Sequence, residues 1–214
     1  MKLIAEIKKF SPYTQVEFDI DPEQLAKSYT ELGASAISIV TAKSFKGDKE
    51  WIKAVRAVTT LPIFCKDFLL KIEDVEKVKE AGADWLLFVS EMYTLDELDF
   101  LTFHANRIGI KPVVEAHSRA GLYKALSVDT NRVMINNRDL KTGKINMMNA
   151  FNFAPLLSDQ RVLYTASGYD MSLSTIPQLK QLDKYEYILI GSCFLQSINL
   201  PETFKNIITK LNEN

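Results

Sequence analysis

The chain has 214 residues, 47% apolar and 25% charged, with a net charge of -1 at neutral pH. That length supports one sizeable core and is too short for two ordinary domains. The charge balance offers no attraction to nucleic acid or to an anionic membrane, and no apolar run reaches the length of a membrane span.

The elements follow in alternation. LIAEIKK is the first β-branched run. DPEQLAKSYTELG follows as an amphipathic helix, with Asp21 at its cap and Gly33 at its end. ASAISIVTA then leads into DKEWIKAVRAV, PIFCKDF into KIEDVEKVKEAG, and ADWLLFVS into TLDELDFLTFHANRIG. KPVVEAHS leads into SRAGLYKALSV, and RVMINNRD, after a loop, into NMMNAFNFAPLL. RVLYTASG precedes SLSTIPQLKQL, and YEYILIGSC precedes NLPETFKNIITKL.

Eight predicted strands thus each precede one helix. The strands are near-continuous apolar runs, as expected for parallel strands buried on both faces. The predicted class is α/β. An open doubly wound sheet competes with a closed barrel, and the count of eight and the lack of GxGxxG after the first strand favour the barrel. Residues 1–214 are expected to form one (β/α)8 TIM-barrel domain.

Cys65 and Cys193 both fall in strand-like apolar runs and are read as buried thiols of a reducing cytoplasm. The opening MKLIAEIKKF has no signal-peptide layout, which agrees with a cytoplasmic location. His104 and His117 lie far apart in sequence, so no zinc site is expected. His117 is read as a loop residue and His104 as a residue of a helix surface.

In such barrels the chemistry sits at the C-terminal ends of the strands. The first strand contributes Glu6 and Lys8, two apart and so on one face, before the Ser11-Pro12 turn. The third ends in Lys66, Asp67 and Phe68, and the fifth in Glu115. The sixth ends in Asn136, Asn137, Arg138 and Asp139. Phe64 and Phe68 flank Lys66, and apolar neighbours disfavour the charged form, so its pKa is expected to be lowered. Glu115 is either a structural partner of Lys66 or Lys8, or an acid/base group. Glu6 and Lys8 allow the same two readings. Ser167-Gly168 and Gly191-Ser192, after the last two strands, fit the phosphate site that these barrels often carry there.

The string IAEIKKFSP resembles the first strand of the indole-3-glycerol phosphate synthase family. KDF at 66–68, VVEAHS at 113–118, INNRDLKT at 135–142, ASG at 166–168 and IGS at 190–192 follow in that family's order. The resemblance implies a (β/α)8 enzyme of tryptophan biosynthesis, a carboxy-lyase that needs no metal and no organic cofactor. It closes the indole ring of 1-(2-carboxyphenylamino)-1-deoxyribulose 5-phosphate with loss of carbon dioxide and water. Carried over, Lys66 is the general acid at the ketone and Glu115 serves the loss of water. Lys8, oriented by Glu6, faces the substrate carboxylate or acts as a second acid. Asn136 and Arg138 bind hydroxyls and shape the site. Phe45 and Phe68 wall the anthranilate ring. Ser11, Ser167, Gly168, Gly191 and Ser192 hold the phosphate. The implied partner is this small phosphorylated substrate, with a second protein of the tryptophan pathway as a further candidate.

Three departures from the family's pattern are visible. A segment with a helix that covers the substrate usually precedes this strand; here the strand begins almost at Met1, and the lid is expected to be missing. Ala166 and Ala42 stand where the family places glutamates, and Tyr13 where it prefers serine. These keep two alternatives open: a divergent phosphosugar lyase or isomerase, and a non-catalytic paralogue.

Overall fold

A computed structural model describes residues 1–68, 71–140, 142–157, 162–166 and 184–212. Eight parallel strands close into a barrel. They are β1 (Lys2–Ile7), β4 (Ala36–Val40), β5 (Ile63–Lys66), β6 (Trp85–Val89), β7 (Lys111–Ala116), β8 (Arg132–Asn136), β9 (Val162–Ala166) and β10 (Tyr187–Ile190). The ring shuts where β1 pairs with β10 from Lys2↔Tyr187 to Ala5↔Ile190, and with β4 from Ile4↔Ala36 to Ile7↔Ile39. The expected α/β barrel is the observed one.

The helices described are α1 (Pro22–Glu31), α2 (Glu50–Val58), α3 (Ile72–Glu80), α4 (Leu95–Arg107), α5 (Arg119–Ser127), α6 (Met148–Phe153), α7 (Ser192–Leu195) and α8 (Leu200–Asn212). Their starts follow local chemistry. The Asp21 carboxylate accepts the main-chain N–H groups of Glu23 and Gln24, and Thr94 and Glu97 form a reciprocal capping box on α4. Gly33, at φ +93, takes the left-handed turn that ends α1. The helix expected over SLSTIPQLKQL lies outside the described residues. No described helix is long and apolar enough to cross a membrane.

Two features differ from the sequence reading. The loop after β1 is built as a two-stranded antiparallel ribbon, β2 (Phe10–Ser11) against β3 (Val16–Glu17), where only a turn was expected. Cys193 is not part of a strand: β10 ends at Ile190 and Gly191 breaks the run, so the half-buried Cys193 sits in α7. Cys65 is buried in β5 as expected, and burial pushes its thiol up to about 12.

Strand alternation splits the core in two. Leu3, Ala5, Ile7, Ile37, Ile39, Ile63 and Cys65 point outward into the layer beneath the helices. Ile4, Ala36, Phe64, Leu87, Val113, Met134 and Leu189 fill the barrel. Trp85 meets Phe64, Tyr164 and Tyr187 at ring separations of 6.2, 5.8 and 5.5 Å. The same inward stripes continue two residues further along each strand, to Glu6, Lys66, Glu115 and Asn136. The barrel is therefore plugged with aromatic and aliphatic side chains below and carries charge at its C-terminal mouth.

Candidate active site

The mouth opens into a cavity lined by Glu6, Lys8, Ser11, Tyr13, Phe45, Lys66, Phe68, Glu115, His117, Asn136, Arg138 and Ser192, among others. Lys66 stands between two carboxylates, its Nζ 3.7 Å from Glu6 Oε2 and 3.7 Å from Glu115 Oε2. Lys8 Nζ donates to Glu6 Oε1 at 2.8 Å. β1, β5 and β7 thus bring two lysines and two glutamates together, all but hidden from solvent. Asn136, at the end of β8, uses its side-chain Oδ1 to accept the Arg138 N–H at 2.9 Å. Arg138 Nη1 donates to the Gly143 carbonyl at 2.8 Å, and its guanidinium lies 4.5 Å from the centre of the Tyr13 ring.

Burial alone would neutralise Lys66, which is the reason its pKa was expected to fall. The structure overturns that expectation. The carboxylates of Glu115 and Glu6 outweigh the desolvation, and the Lys66 pKa is raised. The reverse holds for its partners. Burial opposes charge on Glu115, but Lys66 and His117 outweigh it, with a hydrogen bond from His117 and the Asn136 amide adding to them, and bring it down to about 2. For Glu6 the charges of Lys8 and Lys66 likewise overcome burial and lower its pKa. All three are ionised at neutral pH.

Three aromatic rings border the cavity. Phe45 lies 6.3 Å from Tyr13 and 6.3 Å from Phe68 between ring centres. Tyr13 belongs to the loop closed by the β2–β3 ribbon. Of the glycine-serine pair after β10, Ser192 borders this cavity, and Gly191 with Ser192 lines an adjoining one that shares Lys8 and Lys66. Ser167 and Gly168 lie outside the described residues.

Two residues belong to the site that sequence reasoning did not place there. His117 does follow β7 directly, but its side chain is only 5% exposed and its Nε2 lies 2.8 Å from Glu115 Oε1. The two-residue spacing of Glu115 and His117 was the available signal. Glu91, after β6, holds the turn that carries His117: its Oε1 accepts the main-chain N–H of His117 and of Ser118 at 3.0 Å each, and the Ser118 hydroxyl at 2.8 Å. His104 stands on α4, as expected, with Nε2 3.3 Å from Glu76 Oε1.

The sequence model of indole-3-glycerol phosphate synthase matches residues 1–207. The chain belongs to the indole-3-glycerol phosphate synthase family. This family consists of carboxy-lyases of tryptophan biosynthesis. A member from Carboxydothermus hydrogenoformans is 36% identical over 197 residues, covering 91% of this chain and 74% of that protein. Another, from Prochlorococcus marinus, is 32% identical over 216 residues, covering 98% and 73%. Among solved structures, 3-hexulose-6-phosphate synthase from Salmonella typhimurium superposes with a TM-score of 0.78 at 12% identity, covering 99% of this chain and 98% of that one. At that identity the likeness speaks for the barrel alone.

Proposed function

We propose that this chain closes the indole ring of 1-(2-carboxyphenylamino)-1-deoxyribulose 5-phosphate, with loss of carbon dioxide and water. The observation that carries the reading is Lys66, held 3.7 Å from both Glu6 and Glu115 in a cavity walled by Phe45 and Phe68.

Ring closure drives electrons onto the substrate's ketone oxygen. A buried ammonium fixed in place stabilises that charge and hands over a proton. Lys66 suits this role because two carboxylates keep it charged. Lys8, anchored on Glu6, faces the substrate carboxylate until carbon dioxide leaves. Dehydration then needs a proton for the departing hydroxyl, so that it leaves as water, and a base for the proton lost from the substrate. Lys8 is the second ammonium at the site and gives the first, and Glu115, ionised at neutral pH, accepts the other. Asn136 and Arg138 bind hydroxyls and shape the wall. Phe45 and Phe68 cover the anthranilate ring. Ser11, Gly191 and Ser192 take the phosphate together with Ser167 and Gly168. In this reading residues 1–214 work as one cytoplasmic domain, with a further tryptophan-pathway protein as a candidate partner.

Ala42 and Ala166, buried at the barrel lip with 3% and 1% exposure, favour a second reading. A methyl group there neither accepts nor orients a proton, as expected of a divergent phosphosugar barrel or a non-catalytic paralogue. Indole fluorescence after mixing the protein with the carboxyphenylamino-deoxyribulose phosphate decides between them. Product well above a Lys66→Ala control is expected. No product above that control, with other sugar phosphates raising the melting temperature more, would establish the second reading.

A further inference from the structure

Both ring nitrogens of His117 face acceptors. Nδ1 lies 2.5 Å from the main-chain carbonyl oxygen of Arg138, and Nε2 lies 2.8 Å from Glu115 Oε1. A carbonyl oxygen only accepts, so Nδ1 carries a hydrogen. A neutral ring would then turn the Nε2 lone pair toward a carboxylate oxygen, and two acceptors in contact repel. The contact is attractive only with one more proton between Nε2 and Oε1. Lys66, beside the other oxygen of Glu115, favours the carboxylate, so that proton belongs on the ring.

The charges around the ring agree. Glu115 comes from β7, and Glu91 comes from the turn after β6, its Oε1 on the His117 main-chain N–H. Lys66 approaches from β5, behind Glu115. The Arg138 guanidinium is engaged by the Gly143 carbonyl and the Tyr13 ring. Burial disfavours the charged ring, but Glu115 outweighs it and the His117 pKa is raised. Glu115 Oε2 is buried without a hydrogen-bond partner among the described residues.

We propose that His117 is a positioning residue whose imidazolium clamps Glu115 by Oε1, leaving Oε2 beside Lys66 as the oxygen that takes the substrate's proton. The proposal rests on the reading of Glu115 as the base of the site. It adds that the base works as a two-residue unit holding one proton between its members.

Histidine-selective 15N labelling of the full chain tests it without turnover. The chain has two histidines, so a His104→Gln variant assigns both signals. Both ring nitrogens of His117 are expected to be protonated at about pH 7, with a midpoint above the ordinary value of about 6.5 that falls by about one unit or more in Glu115→Gln. A singly protonated His117 ring at that pH, unmoved by Glu115→Gln, overturns the proposal. A chain that makes no indole still answers this experiment, so the clamp and the proposed reaction fail separately. In turnover, kcat is expected to fall on the alkaline side as the shared proton is lost. His117→Gln cannot titrate and loses that limb, with kcat down about ten-fold or more and KM little changed. A raised KM with an unaltered pH profile would mark His117 as structural only and would sink the idea.

Discussion

The carboxylate of Glu6 fills the space in front of Gly191. A β-carbon on residue 191 would overlap Glu6 Oε1, at the oxygen that receives the Lys8 ammonium. Glycine at this position is therefore a demand of close approach, and it ties the end of β10 to the ion pairs rooted in β1. Gly191→Ala is expected to push Glu6 aside and misplace both lysines. The expected loss in kcat/KM is about 100-fold, read by indole fluorescence. Unchanged kinetics would show that the Glu6 side chain moves freely.

Glu91 does not border the cavity, yet it receives three hydrogen bonds from the turn that presents His117. Glu91→Ala leaves two part-buried main-chain N–H groups without their acceptor. A stability loss of about 2–3 kcal/mol is expected in urea unfolding, together with reduced turnover. Gly121→Ala should act in the same direction, since an added β-carbon there would collide with the Glu91 carboxylate.

Tyr13 couples two loops over the mouth. Its ring receives the Arg138 guanidinium and packs near Gly143 and Phe45. Tyr13→Ala is expected to free Arg138 and raise KM several-fold for about 1 kcal/mol of lost stacking, with kcat less affected. Tyr13→Phe keeps the ring and should behave as wild type. Equal KM values in all three proteins would show that the stack does not shape the site.

Acid should unfold this protein partly through Glu115. Its pKa is depressed from 4.5 to about 2 in the folded chain, so the stabilisation is complete above the unfolded value and is lost as pH falls toward 2. That is worth roughly 3 kcal/mol. Glu115→Gln is expected to flatten the fall in stability between these limits, as measured by urea midpoints against pH. His117 has the opposite sign. Its raised pKa gives stability that is present below about 6.5 and fades as pH rises through the folded value.

The strands, most helices and the position of the polar residues could be read from the chain, because they depend on near neighbours. Buried β-branched runs fixed the parallel strands, Asp21 fixed the start of the first helix, and the rule that the chemistry sits at the strand ends put Glu6, Lys66, Glu115 and Asn136 at the barrel mouth. The charge state of Lys66 could not be read that way. Its neighbours in sequence, Phe64 and Phe68, argued for a neutral amine. Only barrel closure brings Glu6 from β1 and Glu115 from β7 to either side of it, and in a buried site those two charges outweigh desolvation. The pairing of His117 with Glu115 was half visible in their spacing. The proton between them is decided by the carbonyl of Arg138, which the loop after β8 carries across the mouth. Local pattern determined which side chains enter the barrel mouth; the tertiary fold decided which of them are charged, because electrostatic partners there come from strands far apart in the chain.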